Sequence, residues 1–209
     1  MKLLKWVCFS VSTLLFTCIA TCSFSQSQTE VRFTKGVNPK YPSNFFYKTF
    51  SSTAKPAAIA IPLGMLAVAL INDNKQLENE AYETVAGIAI AAIGTEAIKV
   101  IIQRQRPYET YADIYPDEID NGNAFPSGHT SVAFAAATSI TLISKKWYLA
   151  VPAYAWASGV GYSRIYLGQH YPSDVAAGAI VGATGAYASH WLNKKFFSGK
   201  KKKKVSQTQ

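Results

Sequence analysis

The sequence predicts an all-α protein, a bundle of about five to six helices that spans a membrane. Five apolar segments predict it, at residues 56–71, 84–102, 129–143, 147–163 and 174–192. Each has about 15 to 20 residues, close to what a bilayer core of about 30 Å requires. They are rich in small residues, which favour close helix packing in lipid or in a tight soluble bundle. The composition, with 49% hydrophobic and 16% charged residues, favours the membrane alternative.

Residues 1–25 have the pattern of a secretory signal peptide. Two lysines precede an apolar core at residues 6–20, and small residues follow at 23–25. The alternative is an uncleaved first spanning helix. All three cysteines lie in this segment, so cleavage after Ser25 leaves a mature chain without thiol or disulfide chemistry.

Three further regions follow the predicted signal. Residues 26–54 are expected to form a periplasmic N-terminal segment, residues 55–193 the helical domain, and residues 194–209 a basic cytoplasmic tail. The net charge of +9 lies mostly in clusters near the chain ends, rather than along one face. Nucleic-acid binding is therefore not predicted.

Charge placement predicts an orientation in the membrane. The stretch 107–127 contains acidic residues and neither lysine nor arginine, whereas lysines cluster at 145–146 and 194–204. If five helices span, the two lysine clusters share one face and the acidic stretch lies on the other. The positive-inside rule then places the acidic stretch outside. Basic residues between 32 and 55 oppose this rule, but translocation by the signal makes them tolerable. The expected location is a bacterial inner membrane.

Three short motifs place polar residues at the ends of the apolar segments. Lys99 precedes Arg106 by seven residues, about two helical turns, so the two cations are expected about 10 Å apart on the same face of one helix. Pro107 is expected to end that helix. Ser127 of Pro126-Ser127-Gly128-His129 is a natural N-cap. The N–H groups from Gly128 onwards are then free to bind an anion.

The third motif runs from Ser163-Arg164 to His170 and Asp174. Pro172 fits the first turn of a helix, so His170 is expected at its mouth and Asp174 just inside. A carboxylate there can hold one imidazole nitrogen and leave the other free and more basic. Three cations, two histidines, one carboxylate and a Ser-Gly turn suit a site that holds a phosphate.

The three motifs, KxxxxxxRP, PSGH and SRxxxxxHxxxD, resemble those of the phosphatidic acid phosphatase type 2 superfamily. That family also contains bacterial acid phosphatases and vanadium haloperoxidases. The resemblance implies a metal-independent phosphatase without a cofactor. By its pattern His170 is the nucleophile, Asp174 orients it, and His129 protonates the leaving group. The expected phosphate-binding residues are Lys99, Arg106, Ser127, Gly128 and Arg164.

The implied substrate is a lipid phosphate or an isoprenyl diphosphate, hydrolysed at the periplasmic face through a phosphohistidine. The alternatives are a soluble periplasmic acid phosphatase, a vanadium haloperoxidase and a non-catalytic phosphate-binding protein. Taken singly, each motif residue also has a structural explanation, such as a snorkelling lysine or a capping aspartate. His190 has no motif around it and is expected to be structural or interfacial.

Overall fold

The computed structural model describes residues 27–42 and 44–196. All regular structure in these ranges is helical, which confirms the predicted fold class. The helices are α1 (Gln28–Val37), α2 (Phe45–Ile71), α3 (Lys75–Ile102), α4 (Pro107–Thr110), α5 (Gly128–Ser144), α6 (Trp147–Tyr166) and α7 (Pro172–Phe196). The predicted signal peptide, residues 1–25, and residues 197–209 of the predicted basic tail lie outside the described residues.

The five predicted apolar segments correspond to α2, α3, α5, α6 and α7, but two helices begin earlier than predicted. Helix α2 begins at Phe45 rather than at residue 56, after Asn44, whose side chain accepts a hydrogen bond from the Phe46 N–H at 2.9 Å. Helix α3 begins at Lys75 rather than at residue 84, with Asn74 as its cap. The first turns of α3 are polar, and those of α2 mix aromatic with polar residues, so a search for continuous apolar segments misses both.

Small side chains bring the central helices close together. Helix α7 packs most extensively against α5 and α3. A Cβ added at Gly178 would lie 2.5 Å from the Ser127 carbonyl oxygen, and one at Gly182 would lie 2.1 Å from the Ser131 carbonyl oxygen. These glycines therefore let the backbone of α7 touch the start of α5.

Gly182→Ala is expected to lower the free energy of unfolding by about 1–3 kcal/mol, because the added methyl group meets a backbone oxygen that cannot move aside easily. The matched control is Gly64→Ala in α2, where an added Cβ meets nothing within 4 Å. Thermal midpoints of the two variants in detergent provide the measurement. Equal midpoints would show that α7 and α5 do not approach as closely as described.

Helices α2 and α3 carry an exposed apolar surface. The stretches Phe45–Ile71 and Lys75–Thr110 are long and apolar enough to cross a bilayer, yet only 17% of the most apolar window of each is buried. A core helix of a soluble protein would hide such residues. Exposed apolar side chains on these two helices include Ile59, Leu63, Ile71, Ile93 and Ile101. This surface is of the kind that lipid covers.

The N-terminal helix α1 is attached to the end of the bundle where α6 ends. The buried Asn38, its C-cap residue, donates to the carbonyl oxygens of Tyr115 and Tyr166, each at 2.8 Å. Its side-chain oxygen accepts from the Tyr115 N–H at 2.7 Å. One side chain thus joins α1, the loop between α4 and α5, and the end of α6.

Candidate active site

The three predicted motifs meet at one end of the helix bundle. The first lies at the end of α3 and the start of α4, the second at the start of α5, and the third spans the turn from α6 to α7. The backbone N–H of Ser127 in the second motif donates to the carbonyl oxygen of Asp174 in the third at 3.0 Å. The last two motifs are therefore in direct contact.

The prediction that Lys99 and Arg106 share one helix face is wrong. Helix α3 ends at Ile102, and Gln103 follows in the left-handed conformation with φ 49°. Arg106 is extended, and Pro107 begins α4 rather than ending α3. The reversal at Gln103 lets Arg106 point inward, where only 2% of it is exposed.

His170 and Asp174 are neighbouring buried side chains. His170 is 2% exposed and Asp174 fully buried. The Asp174 Oδ2 atom lies 3.6 Å from His170 Nδ1, longer than a hydrogen bond, and accepts one from the Tyr171 N–H at 2.8 Å. Gly168, with φ 69°, makes the turn that brings the chain from α6 to His170. The predicted hydrogen bond from Asp174 to one imidazole nitrogen is therefore not formed in this structure, where His170 Nδ1 has no hydrogen-bond partner among the described residues, although the two groups are neighbours.

The environment of His170 favours the neutral imidazole. Burial lowers the pKa of His170 well below its usual range, and the positive charges of Arg164, Arg106 and Lys99 lower it further. A neutral imidazole carries a free lone pair.

The two predicted phosphate-binding arginines share one carboxylate. Asp120 Oδ2 lies 2.9 Å from Arg106 Nη2 and 3.8 Å from Arg164 Nη2. Arg106 also donates to Gln169 Oε1 at 2.9 Å, and Arg164 to Ser51 Oγ at 2.8 Å. Both guanidinium groups are buried and converge on an anion. The position that they create suits one phosphoryl group.

The Pro126–His129 motif lies beside Lys99. Ser127 is the N-cap residue of α5, as predicted, but its Oγ makes no capping hydrogen bond and accepts from Thr130 Oγ1 at 2.9 Å. A Cβ added at Gly128 would lie 3.7 Å from Lys99 Nζ, so the ammonium group adjoins the start of α5. Lys99 Nζ also pairs with Glu96 at 3.1 Å.

A cavity of about 430 Å³ opens next to these groups. His129, Arg164 and Gln169 form its inner wall, and the first turns of α2, from Phe45 to Lys55, form another. The acidic part of its lining comes from the loop between α4 and α5, at Asp117, Glu118 and Asp120. The cavity therefore gives access to Arg164 and to His129 from the side of α2.

Sequence reasoning missed several residues that the structure places around the motifs. They are Glu30, Ser51, Arg104, Asp120 and Gln169. Asp120 was recognised only as part of an acidic stretch. Arg104 lies inside the first motif, at a position where the pattern allows any residue. The sequence indicated Arg104 only as an additional arginine between Lys99 and Arg106.

His190 lies apart from these motifs, as expected. Its Nδ1 is 2.6 Å from Glu83 Oε1 on α3. Within residues 27–42 and 44–196, no three His, Cys, Asp or Glu side chains come together as ligands for a metal ion.

The family follows from a comparison with known proteins. The sequence profile of the PAP2 superfamily matches residues 81–198, which is more than half of the chain and contains all three motifs. This chain belongs to the PAP2 superfamily.

Curated PAP2 relatives align over part of their lengths. The undecaprenyl-diphosphatase BcrC of Bacillus subtilis is 30% identical over 127 residues, 60% of this chain and 63% of that protein. The lipid A 4'-phosphatase of Bacteroides thetaiotaomicron is 37% identical over 71 residues, 34% of this chain and 32% of that protein. Each alignment spans less than two thirds of the relative.

The fold is also found among solved structures. A transmembrane PAP2-type phosphatidylglycerolphosphate phosphatase from Bacillus subtilis superimposes with a TM-score of 0.56 at 20% identity. The match covers 90% of this chain and 88% of that one. At this identity the likeness establishes the shared helical fold.

Proposed function

We propose that this protein is a membrane phosphatase that hydrolyses a lipid phosphate or an isoprenyl diphosphate at the periplasmic face. The observation that carries the proposal is the pair of buried arginines, Arg106 and Arg164, which converge on one anionic oxygen beside the buried His170 and Asp174. Phosphoryl transfer needs alignment and charge neutralisation, and these groups supply both.

His170 is the nucleophile in the proposed reaction. Its Nδ1 faces Asp174, which leaves Nε2 to form a bond to phosphorus while the bond to the leaving oxygen breaks. His129 gives a proton to that oxygen. It then removes a proton from water, which attacks the phosphohistidine and releases phosphate. Asp174 stabilises the positive charge on His170 during the first step.

The phosphoryl oxygens are held by the five predicted binding residues. Lys99, Arg106 and Arg164 neutralise the charge that spreads over the oxygens in the transition state. The N–H groups at the start of α5, from Gly128 onwards, add a helix N-terminus, and Ser127 shapes this turn. Three cations perform the role that a metal ion has in many phosphatases, so activity is expected without added metal.

The lipid substrate class is supported by the surroundings of the cavity. One wall is formed by the first turns of α2, the helix that exposes apolar side chains further along, from Ile59 to Ile71. A phosphate in the cavity can therefore remain attached to a chain in lipid. The two relatives, an undecaprenyl-diphosphatase and a lipid A 4'-phosphatase by name, act on substrates of this class.

The periplasmic orientation is supported by the charged side chains at the two ends of the bundle. Lys145, Lys146, Lys194 and Lys195 lie at the end opposite the motifs. At the motif end, Lys35 pairs with Asp113 at 2.7 Å and Lys48 with Asp117 at 2.5 Å. Lys35 and Lys48 are two of the basic residues that oppose the positive-inside rule, in which carboxylates count little, and translocation by the predicted signal makes these residues tolerable. Reporter fusions after Lys146 are expected in the cytoplasm, and those near Asp117 in the periplasm.

The direct test is phosphate release by the purified protein from phosphatidate, an isoprenyl diphosphate and a soluble monoester. We expect faster release from the lipids, no loss in a chelator, and inhibition by orthovanadate. Loss of activity in a chelator, restored by magnesium, would contradict metal independence. Preference for the soluble monoester, together with release of the protein by osmotic shock, would favour a soluble acid phosphatase.

Asp120→Asn is expected to tighten inhibition by orthovanadate about two- to fivefold, because the Asp120 carboxylate occupies the position where the arginines bind the anion and is itself half-exposed. Asp113→Asn is the matched control, since Asp113 belongs to the same loop and pairs with Lys35 instead. The measurement is the inhibition constant of orthovanadate for the wild type, Asp120→Asn and Asp113→Asn. Unchanged or weaker inhibition in Asp120→Asn would mean that this carboxylate does not compete with the anion.

A further inference from the structure

Arg104 lies at the centre of a buried charged cluster next to His170. Its Nη1 donates to Asp174 Oδ1 and to Ser173 Oγ, both at 2.6 Å, and its Nη2 donates to Glu30 Oε2 at 3.1 Å. Only 3% of the Arg104 side chain is exposed, compared with 10% for Glu30 and none for Asp174. One cation thus lies between two carboxylates, away from solvent.

The contacts of Arg104 hold the Asp174 carboxylate in one orientation. Oδ1 is bound by Arg104, and Oδ2 by the Tyr171 N–H at 2.8 Å. With both oxygens anchored, the carboxylate cannot rotate, and Oδ2 stays on the side of His170 Nδ1. The guanidinium group itself is fixed by the Tyr171 ring, whose centroid lies 4.2 Å away.

Glu30 connects this cluster to α1. Its Oε2 accepts from Arg104, while its Oε1 accepts from the Ser173 N–H at 2.9 Å and from the Ser173 hydroxyl. The Ser173 N–H belongs to the first turn of α7, where no helical acceptor exists for it. Glu30 therefore caps α7 and also neutralises Arg104, so the N-terminal helix supports the helix that carries Asp174.

We propose that Arg104 and Glu30 are positioning residues for phosphoryl transfer. Arg104 keeps the Asp174 carboxylate directed at His170, and Glu30 keeps the guanidinium group in place. This proposal rests on the proposed phosphatase function. When His170 takes on positive charge during attack, the distance of 3.6 Å to Asp174 has to shorten to a hydrogen bond. A carboxylate already held in the correct rotamer makes that closure small.

The test is the kinetics of Arg104→Ala with phosphatidate in detergent micelles. We expect kcat to fall about 100-fold, as for a misplaced catalytic group, with little change in KM, because Arg104 does not bind the phosphate. Added guanidinium ion is expected to restore part of kcat in Arg104→Ala and none in Asp174→Ala. Arg32→Ala is the control for lost charge, since Arg32 is exposed on the same helix as Glu30, and it should keep wild-type kinetics.

Two further variants keep the test decisive if Arg104→Ala does not fold. Arg104→Lys retains the charge but not the planar fork, and Glu30→Gln retains the shape without the charge. Both are expected to lose kcat at nearly constant KM. Folded variants that keep the wild-type kcat would overturn the proposal. So would a loss in kcat of the expected size that comes with a raised KM and is not restored by guanidinium. A wild-type protein that released no phosphate would instead refute the phosphatase function itself.

Discussion

His170→Ala is expected to abolish turnover of every substrate, with kcat lowered about 10⁴-fold or more, as for loss of an enzymatic nucleophile. The buried imidazole is the group whose neutral form is favoured by its surroundings, and its loss leaves no other nucleophile in the proposed reaction. Rapid quench with ³²P-labelled p-nitrophenyl phosphate provides the measurement. No acid-labile, base-stable phosphoenzyme should form in the variant.

The matched control is His190→Gln. His190 pairs with Glu83, outside the three motifs, and glutamine can keep a hydrogen bond to that carboxylate. This variant is therefore expected to keep the wild-type rate. If His170→Ala still accumulated a phosphoenzyme, the nucleophile would be another residue, and the role proposed for His170 would be wrong.

His129→Ala is expected to separate substrates according to their leaving groups. A lipid alkoxide needs a proton as it leaves, so kcat for phosphatidate should fall about 10²- to 10⁴-fold, the usual contribution of a general acid. The p-nitrophenolate ion hardly needs one. With p-nitrophenyl phosphate the variant should form the phosphohistidine and then stop, because the same imidazole is needed to activate water.

The decisive measurement is the amount of trapped phosphoenzyme. We expect His129→Ala to accumulate nearly one phosphate per protein from p-nitrophenyl phosphate, whereas the wild type turns it over and His170→Ala forms none. His129 lines the cavity together with Arg164, where both the leaving oxygen and water have access. Equal losses of the first step with both substrates would argue that His129 binds the phosphate rather than transferring a proton.

The fold class could be predicted from the sequence because it depends on local patterns, and the candidate site residues were chosen from local motifs in the same way. Apolar segments of helical length identified α5, α6 and α7 closely. The motif spacing identified His170, Asp174 and His129 as members of one site. The helix start at Pro172, with Asp174 in its first turn, followed from the known preference of proline for that position.

Other features depend on contacts that no local pattern encodes. The prediction that Lys99 and Arg106 share a helix face was wrong because Gln103 adopts a left-handed conformation. The sequence has no glycine or asparagine at this position to indicate such a turn. The early start of α2 was missed because its first turns mix aromatic with polar residues and show no clear periodicity. Asp120 reaches the arginines through a loop whose path depends on hydrogen bonds between its backbone and the Tyr108 hydroxyl.

The contact between Glu30 and Ser173 joins positions that are 143 residues apart. During synthesis α1 is made well before α7, so Glu30 can form this contact only after the start of α7 has been synthesised. Arg104 likewise meets Asp174 only when α7 has entered the bundle. The nascent protein therefore has no assembled site while its helices are being inserted. On the proposed function, activity begins only once α7 is in place, and a chain truncated before Pro172 is expected to lack it.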